Sequence, residues 1–145
     1  TAIFSVSISA NTWLDGEFIA INFNSHHKQN CGAAANLTIK IYYGTDSITL
    51  VNASSVADIA AEGHTQRGIV LLRDNVDILV LPSGDGIPAR TTGLNLTAIS
   101  SDSFSGFKIT PPGFNTTKNV EVTIQWSVAD LDTYWNVSSG NAYKF

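Results

Sequence analysis

The sequence predicts an all-β protein, an antiparallel two-layer β-sandwich of the jelly-roll kind, and three observations carry that prediction. Apolar residues recur at every second position through much of the chain, which lays them on one face of a strand. Turn-forming residues punctuate these runs at intervals of roughly 8–15 residues. Only one stretch has the caps of a helix. A closed β-barrel is the alternative reading.

Taken in order, Phe4, Val6, Ile8 and Ala10 alternate with Ser5, Ser7 and Ser9, which predicts a half-buried strand over Ile3–Ala10. Asp15-Gly16 turns the chain into a strand at Phe18–Phe23. Gly44-Thr45-Asp46 separates strands at Leu37–Tyr43 and Ser47–Val51. Ser55 as cap, Asp58 three residues on and Gly63 as the stop predict one short helix near 55–62. Ile69–Arg73 and Val76–Leu81 hold continuous apolar runs, as in strands covered on both faces, and Asp74-Asn75 joins them as a tight hairpin. Further strands are predicted at Leu94–Ile99, Phe107–Thr110 and, most strongly, Val120–Val128, while Pro82, Pro88, Pro111 and Pro112 fall between strands. The predicted core is Phe4, Val6, Ile8, Ile39, Ile41, Val122, Ile124 and Trp126.

Composition narrows the function. The 145 residues suit a single domain spanning 1–145, large enough to fold without a metal or disulfide frame. Charged residues make up only 14 %, and Ser, Thr and Asn together fill 41 positions, so the surface is largely neutral and hydrogen-bonding. With 8 scattered Lys and Arg and a net charge of −4, the chain lacks the basic patch that nucleic acid or an anionic membrane requires. No apolar stretch is long enough for a membrane-spanning helix. Cys31 is the single cysteine, so an intrachain disulfide is excluded. Five Asn-X-Ser/Thr sites, at Asn36, Asn52, Asn95, Asn115 and Asn136, would be glycan acceptors on a secretory route. A secreted or extracellular location is expected, with a cytoplasmic protein lacking a leader as the alternative.

Catalytic chemistry finds no purchase in the sequence, and no enzyme activity is expected. A nucleophile elbow is absent, and Ser83-Gly84-Asp85-Gly86 reads as a loop. His26, His27, Cys31 and His64 suggest zinc by type, but adjacent residues of an extended chain point to opposite faces, so an ordinary loop is expected. Asp130 and Asp132 could present carboxylates to calcium, although the Gly and closing Glu of the usual loop are missing. No cofactor is therefore expected, and calcium is the one ion left open.

Aromatic residues beside polar loops point instead to sugars, whose C–H faces stack on rings while their hydroxyls pair with fixed polar groups. Tyr134 or Trp135 is the expected stacking platform at one end of the sandwich, with Trp13 as its rival. Asn136, Asp132 and Asp85 would pair hydroxyls, and Arg90 and His64 would donate further bonds. The expected function is thus a non-catalytic carbohydrate-binding protein, a lectin or adhesin that engages glycans or glycoproteins as a homo-oligomer formed through sheet edges. A shell, capsid or fimbrial subunit and a β-hairpin pore former are the alternatives, since both use the same strand patterns.

Overall fold

A computed structural model describes residues 2–56, 58–82, 90–91 and 108–144, with the backbone alone given for 51–56, 59–61, 63–67, 81–82 and 90–91. Ten strands occur among them: β1 (Ala2–Ile8), β2 (Phe18–Gln29), β3 (Ala35–Tyr43), β4 (Asp46–Val56), β5 (Ile59–Asp74), β6 (Asp77–Pro82), β7 (Arg90–Thr91), β8 (Lys108–Ile109), β9 (Lys118–Trp126) and β10 (Tyr134–Lys144). They form two antiparallel sheets that stay open rather than closing into a barrel. The first runs β1-β9-β3-β4, the second β10-β2-β5-β6-β8, with β7 also pairing β5.

Period-two alternation builds the core between the layers, because each strand turns one set of side chains inward. Leu37, Ile39 and Ile41 of β3 and Val120, Val122 and Ile124 of β9 meet Ile19, Ile21 and Phe23 of β2, Ile69 and Leu71 of β5, and Ile78 and Val80 of β6. Phe4, Val6 and Ile8 of the edge strand β1, together with Trp126, are only partly buried and pack against this cluster. At one end Trp13 closes the sandwich, meeting Tyr43 and Phe114 edge-on with ring centroids 5.8 Å apart in each case. Its indole N–H donates to the Glu17 carbonyl at 3.0 Å, so the polar end of the ring is satisfied as the rest is buried.

Three sequence expectations are corrected. The stretch predicted as a helix near 55–62 carries strand backbone on either side of residue 57: Val56 pairs with Ala35 and Ile59 with Gln29. Two helical turns cannot repay the cost of nucleating them, whereas two long sheets offer ladder bonds at once. The polar segment Asn24–Asn30, expected as a loop around His26 and His27, is strand as far as Gln29, the second half of β2, and Tyr134-Trp135-Asn136, placed after a strand end with no strand predicted there, opens the edge strand β10. The predicted strand Leu94–Ile99 lies outside the described residues.

Core and surface positions predict opposite responses to truncation. Ile41→Ala removes a fully buried side chain and is expected to lower the unfolding free energy by about 2–5 kcal/mol in a urea titration. Leu131→Ala, at a residue 99 % exposed, is expected to change it by less than about 0.5 kcal/mol.

Candidate functional site

The inward and outward sides of β2 differ sharply in chemistry. Inward, the apolar run Ile19, Ile21, Phe23 gives way to Ser25, His27 and Gln29, all buried. Partners meet part of this buried polarity: the Trp135 indole N–H donates to Ser25 Oγ at 2.8 Å, His27 stacks on Trp135 at 4.4 Å between ring centroids, and Gln29 Nε2 donates to the Ala33 carbonyl at 2.8 Å. Outward, Asn22 and Asn24 stand exposed beside β10.

A β-bulge sets what β10 brings to that outer face. Trp135 and Val137 pair with His27 and Ser25, but after Val137 the register shifts, so Ser139 pairs with Asn24 and Asn141 with Asn22. Ser138 is the extra residue, and its hydroxyl donates to the Asn24 carbonyl at 3.1 Å. The bulge lets Trp135 and Val137 face the core while Ser139, Asn141 and Tyr143 share the outer face with Asn24 and Asn22. Gly140 lies behind them, where a Cβ would sit 3.0 Å from the Phe4 ring and press on it.

Cross-strand rows of hydrogen-bonding residues result. One row runs Ser139, Asn24, Gln66, Arg90 across four strands, another Asn141, Asn22, Gly68, and a third Asn136, His26, His64. Asn24 Nδ2 donates to Ser139 Oγ at 3.0 Å and Asn22 Nδ2 to the Tyr143 hydroxyl at 3.4 Å. Each amide thereby spends one of its two N–H groups and keeps the other, along with its carbonyl oxygen. Asn22, Asn24, Ser139, Asn141 and the half-exposed ring of Tyr143 line a groove of about 320 Å³.

The sequence-predicted residues divide between this face and the core. Tyr134 and Asn136 are on its continuation along β10, and the register places His64 and Arg90 in its rows. Asp132 sits at its far end, where Lys28 Nζ approaches at 2.9 Å and Asn30 Nδ2 donates at 3.2 Å. Lys28 first, and Asn30 after it, hold the Asp132 carboxyl below its ordinary value. The Tyr134 hydroxyl donates to Glu62, a bond that pushes the phenol above its ordinary value. Trp13 and Trp135 are corrected: at 1 % and 8 % exposure, both are core side chains rather than open stacking platforms. Asp85 lies outside the described residues. Ser139, Asn141 and Tyr143 were missed because the bulge hides the alternation that would have marked β10, and Asn22 and Asn24 because only the pairing with β10 brings these groups to their side. Among the described residues, no three His, Cys, Asp or Glu side chains converge as metal ligands.

No protein-family model matches the chain, and no curated protein matches it in sequence. No helix among the described residues is long and apolar enough to cross a membrane.

The ion pair at Asp132 predicts a pH response of defined sign. Its lowered pKa means that the pair stabilises the β9-β10 turn above the unfolded carboxyl value of about 3.9, and that this contribution is lost as the pH falls through the lower folded value. In a carboxyl-resolved NMR titration, Lys28→Met is expected to raise the Asp132 midpoint towards the ordinary value. An unmoved midpoint would show that Lys28 does not set it.

Proposed function

We propose that the protein is a non-catalytic carbohydrate-binding protein, a lectin or adhesin, and that its ligand lies on the outer face of β10, β2 and β5. The observation that carries this reading is the groove of paired amides and hydroxyls with Tyr143 along one side. A sugar hydroxyl both donates and accepts, and a side-chain amide offers both functions at a fixed spacing. Asn22 and Asn24 are each oriented by a bond to the neighbouring strand, so little rotamer freedom is lost when a sugar replaces water. The Tyr143 ring supplies the apolar surface on which a pyranose can rest, the role expected from sequence of Tyr134 or Trp135. At about 320 Å³ the groove is at the small end of ligand sites, which suits one or two sugar rings. Single sites of this kind bind weakly, and several copies on one particle gain avidity.

Assembly has its own support, and it also suits a shell or fimbrial subunit. Strands β1 and β10 each form one edge of their sheet, and β1 carries no charged side chain to deter a neighbour. An extracellular location fits both readings.

A glycan array with free-sugar competition tests the leading function directly. Saturable, competable binding is expected, with Tyr143→Ala and Asn24→Ala each weakening it at least fivefold, the scale of about 1 kcal/mol for an aromatic or hydrogen-bonding contact. Binding to no glycan, or affinity unmoved by either substitution in a folded protein, would overturn the reading. For assembly, sedimentation at micromolar concentration is expected to show an oligomer that Ser7→Lys on β1 shifts towards monomer. A wild-type monomer there would exclude it.

A further inference from the structure

The opposite chemistry collects where the β5-β6 hairpin meets the segment before β9. Asn11, Arg73, Asn75, Val76, Pro112 and Asn115 line a groove of about 380 Å³ there. Arg73 is held in place on every side. Its backbone N–H donates to the Glu17 carbonyl at 3.1 Å, and its carbonyl accepts from Gly16 N–H at 2.8 Å. In the side chain, Nε donates to the Asn75 carbonyl at 3.2 Å, Nη1 donates to the Trp13 carbonyl, and the guanidinium lies 4.0 Å above the centre of the Phe114 ring. Two of its five N–H groups are used in this way, which leaves three.

No carboxylate among the described residues lies within ion-pair distance of Arg73, although the chain as a whole is acidic. Of the nearby acids, Glu17 feels the Arg73 charge but accepts its contacts from Leu14 N–H at 2.7 Å and from Lys144 at 3.0 Å, Asp15 accepts from Asn75 N–H at 2.6 Å, and Asp74 is exposed to solvent. A second cation adds to the local field, since Lys118 Nζ lies 5.1 Å from the centre of the Tyr43 ring and donates to the Gly113 carbonyl at 3.4 Å. A fixed, weakly hydrated guanidinium with spare donors beside a groove is built to meet an anion, and its planar fork matches a carboxylate. Asparagines at the rim can donate further bonds, and Val76, 57 % exposed, with Pro112 offers apolar contact to the body behind the charge.

We infer that this groove binds a carboxylate carried on a small, partly apolar molecule or on an acidic sugar, with Arg73 as its counter-charge. The site is separate from the β10-β2-β5 face, so it stands whether or not that face binds glycans.

Amide-resolved NMR titration of the intact chain with sodium benzoate and with sodium glucuronate tests the inference, with sodium chloride at matched ionic strength and glucose as controls. Saturable shifts centred on Asn75, Val76, Gly113 and Asn115 are expected from at least one carboxylate, and the stronger of the two identifies the ligand's body. Arg73→Gln is expected to weaken that binding at least tenfold and Arg73→Lys less, since lysine keeps the charge and loses the fork. Because Arg73 also holds Trp13 and Phe114, Asn115→Asp provides an exposed substitution that adds a like charge at the rim. It is expected to weaken binding at least fivefold with an unchanged thermal midpoint. Shifts that never saturate and match those of chloride would overturn the site, as would saturable binding that Asn115→Asp leaves intact.

Discussion

Strand β2 is hydrogen-bonded on both sides along nearly its whole length, to β10 and to β5, and its alternation fixes which way those neighbours face. A slip of one residue would carry Asn22 and Asn24 into the core and expel Ile21 and Phe23, so the register is set by burial rather than by any outward contact. The groove inherits its spacing from this constraint. Misfit is absorbed where it is least costly, at bulges beside Ser138 and between His27 and Gln29, along the polar half of the strand.

What could be read from the sequence follows the same division. Ile39 and Ile41 on β3 and Val122 and Ile124 on β9 are inward, apolar and regularly spaced, and the sandwich was legible from such runs. The second half of β2 was not, because its inward residues Ser25, His27 and Gln29 look like a loop until Trp135 is known to cover them. Nor was β10, where Ser138 breaks the alternation between Val137 and Ala142. The residue types of a sugar site were visible in composition. Their grouping was not, because Asn24 and Ser139 become neighbours only through pairing across most of the chain. Trp13 was misplaced for a related reason: beside a turn it looks exposed, and Tyr43 and Phe114, which enclose it, are remote in sequence.

Two ends of one sandwich thus carry different electrostatics in a chain of few charges. Near Asp132 the charges are mutually neutralised, with Lys28 and Asn30 closing around the carboxylate. Near Phe114 the cations Arg73 and Lys118 rest on aromatic faces and carbonyls instead, with no described carboxylate in ion-pair contact.

The turn between β9 and β10 has a practical consequence. Asp130 shapes it by accepting the Asp132 N–H at 2.7 Å and the Thr133 N–H, through its carbonyl, at 3.2 Å, and Lys28 anchors it to the sheet. None of these bonds involves the side chain of Leu131, which points wholly into solvent. The tip is therefore a mounting point: a fluorophore, a tether or a short inserted epitope attached there would ride on a rigid base. It would report from the end of the strand that lines the groove while leaving the core and the groove itself untouched.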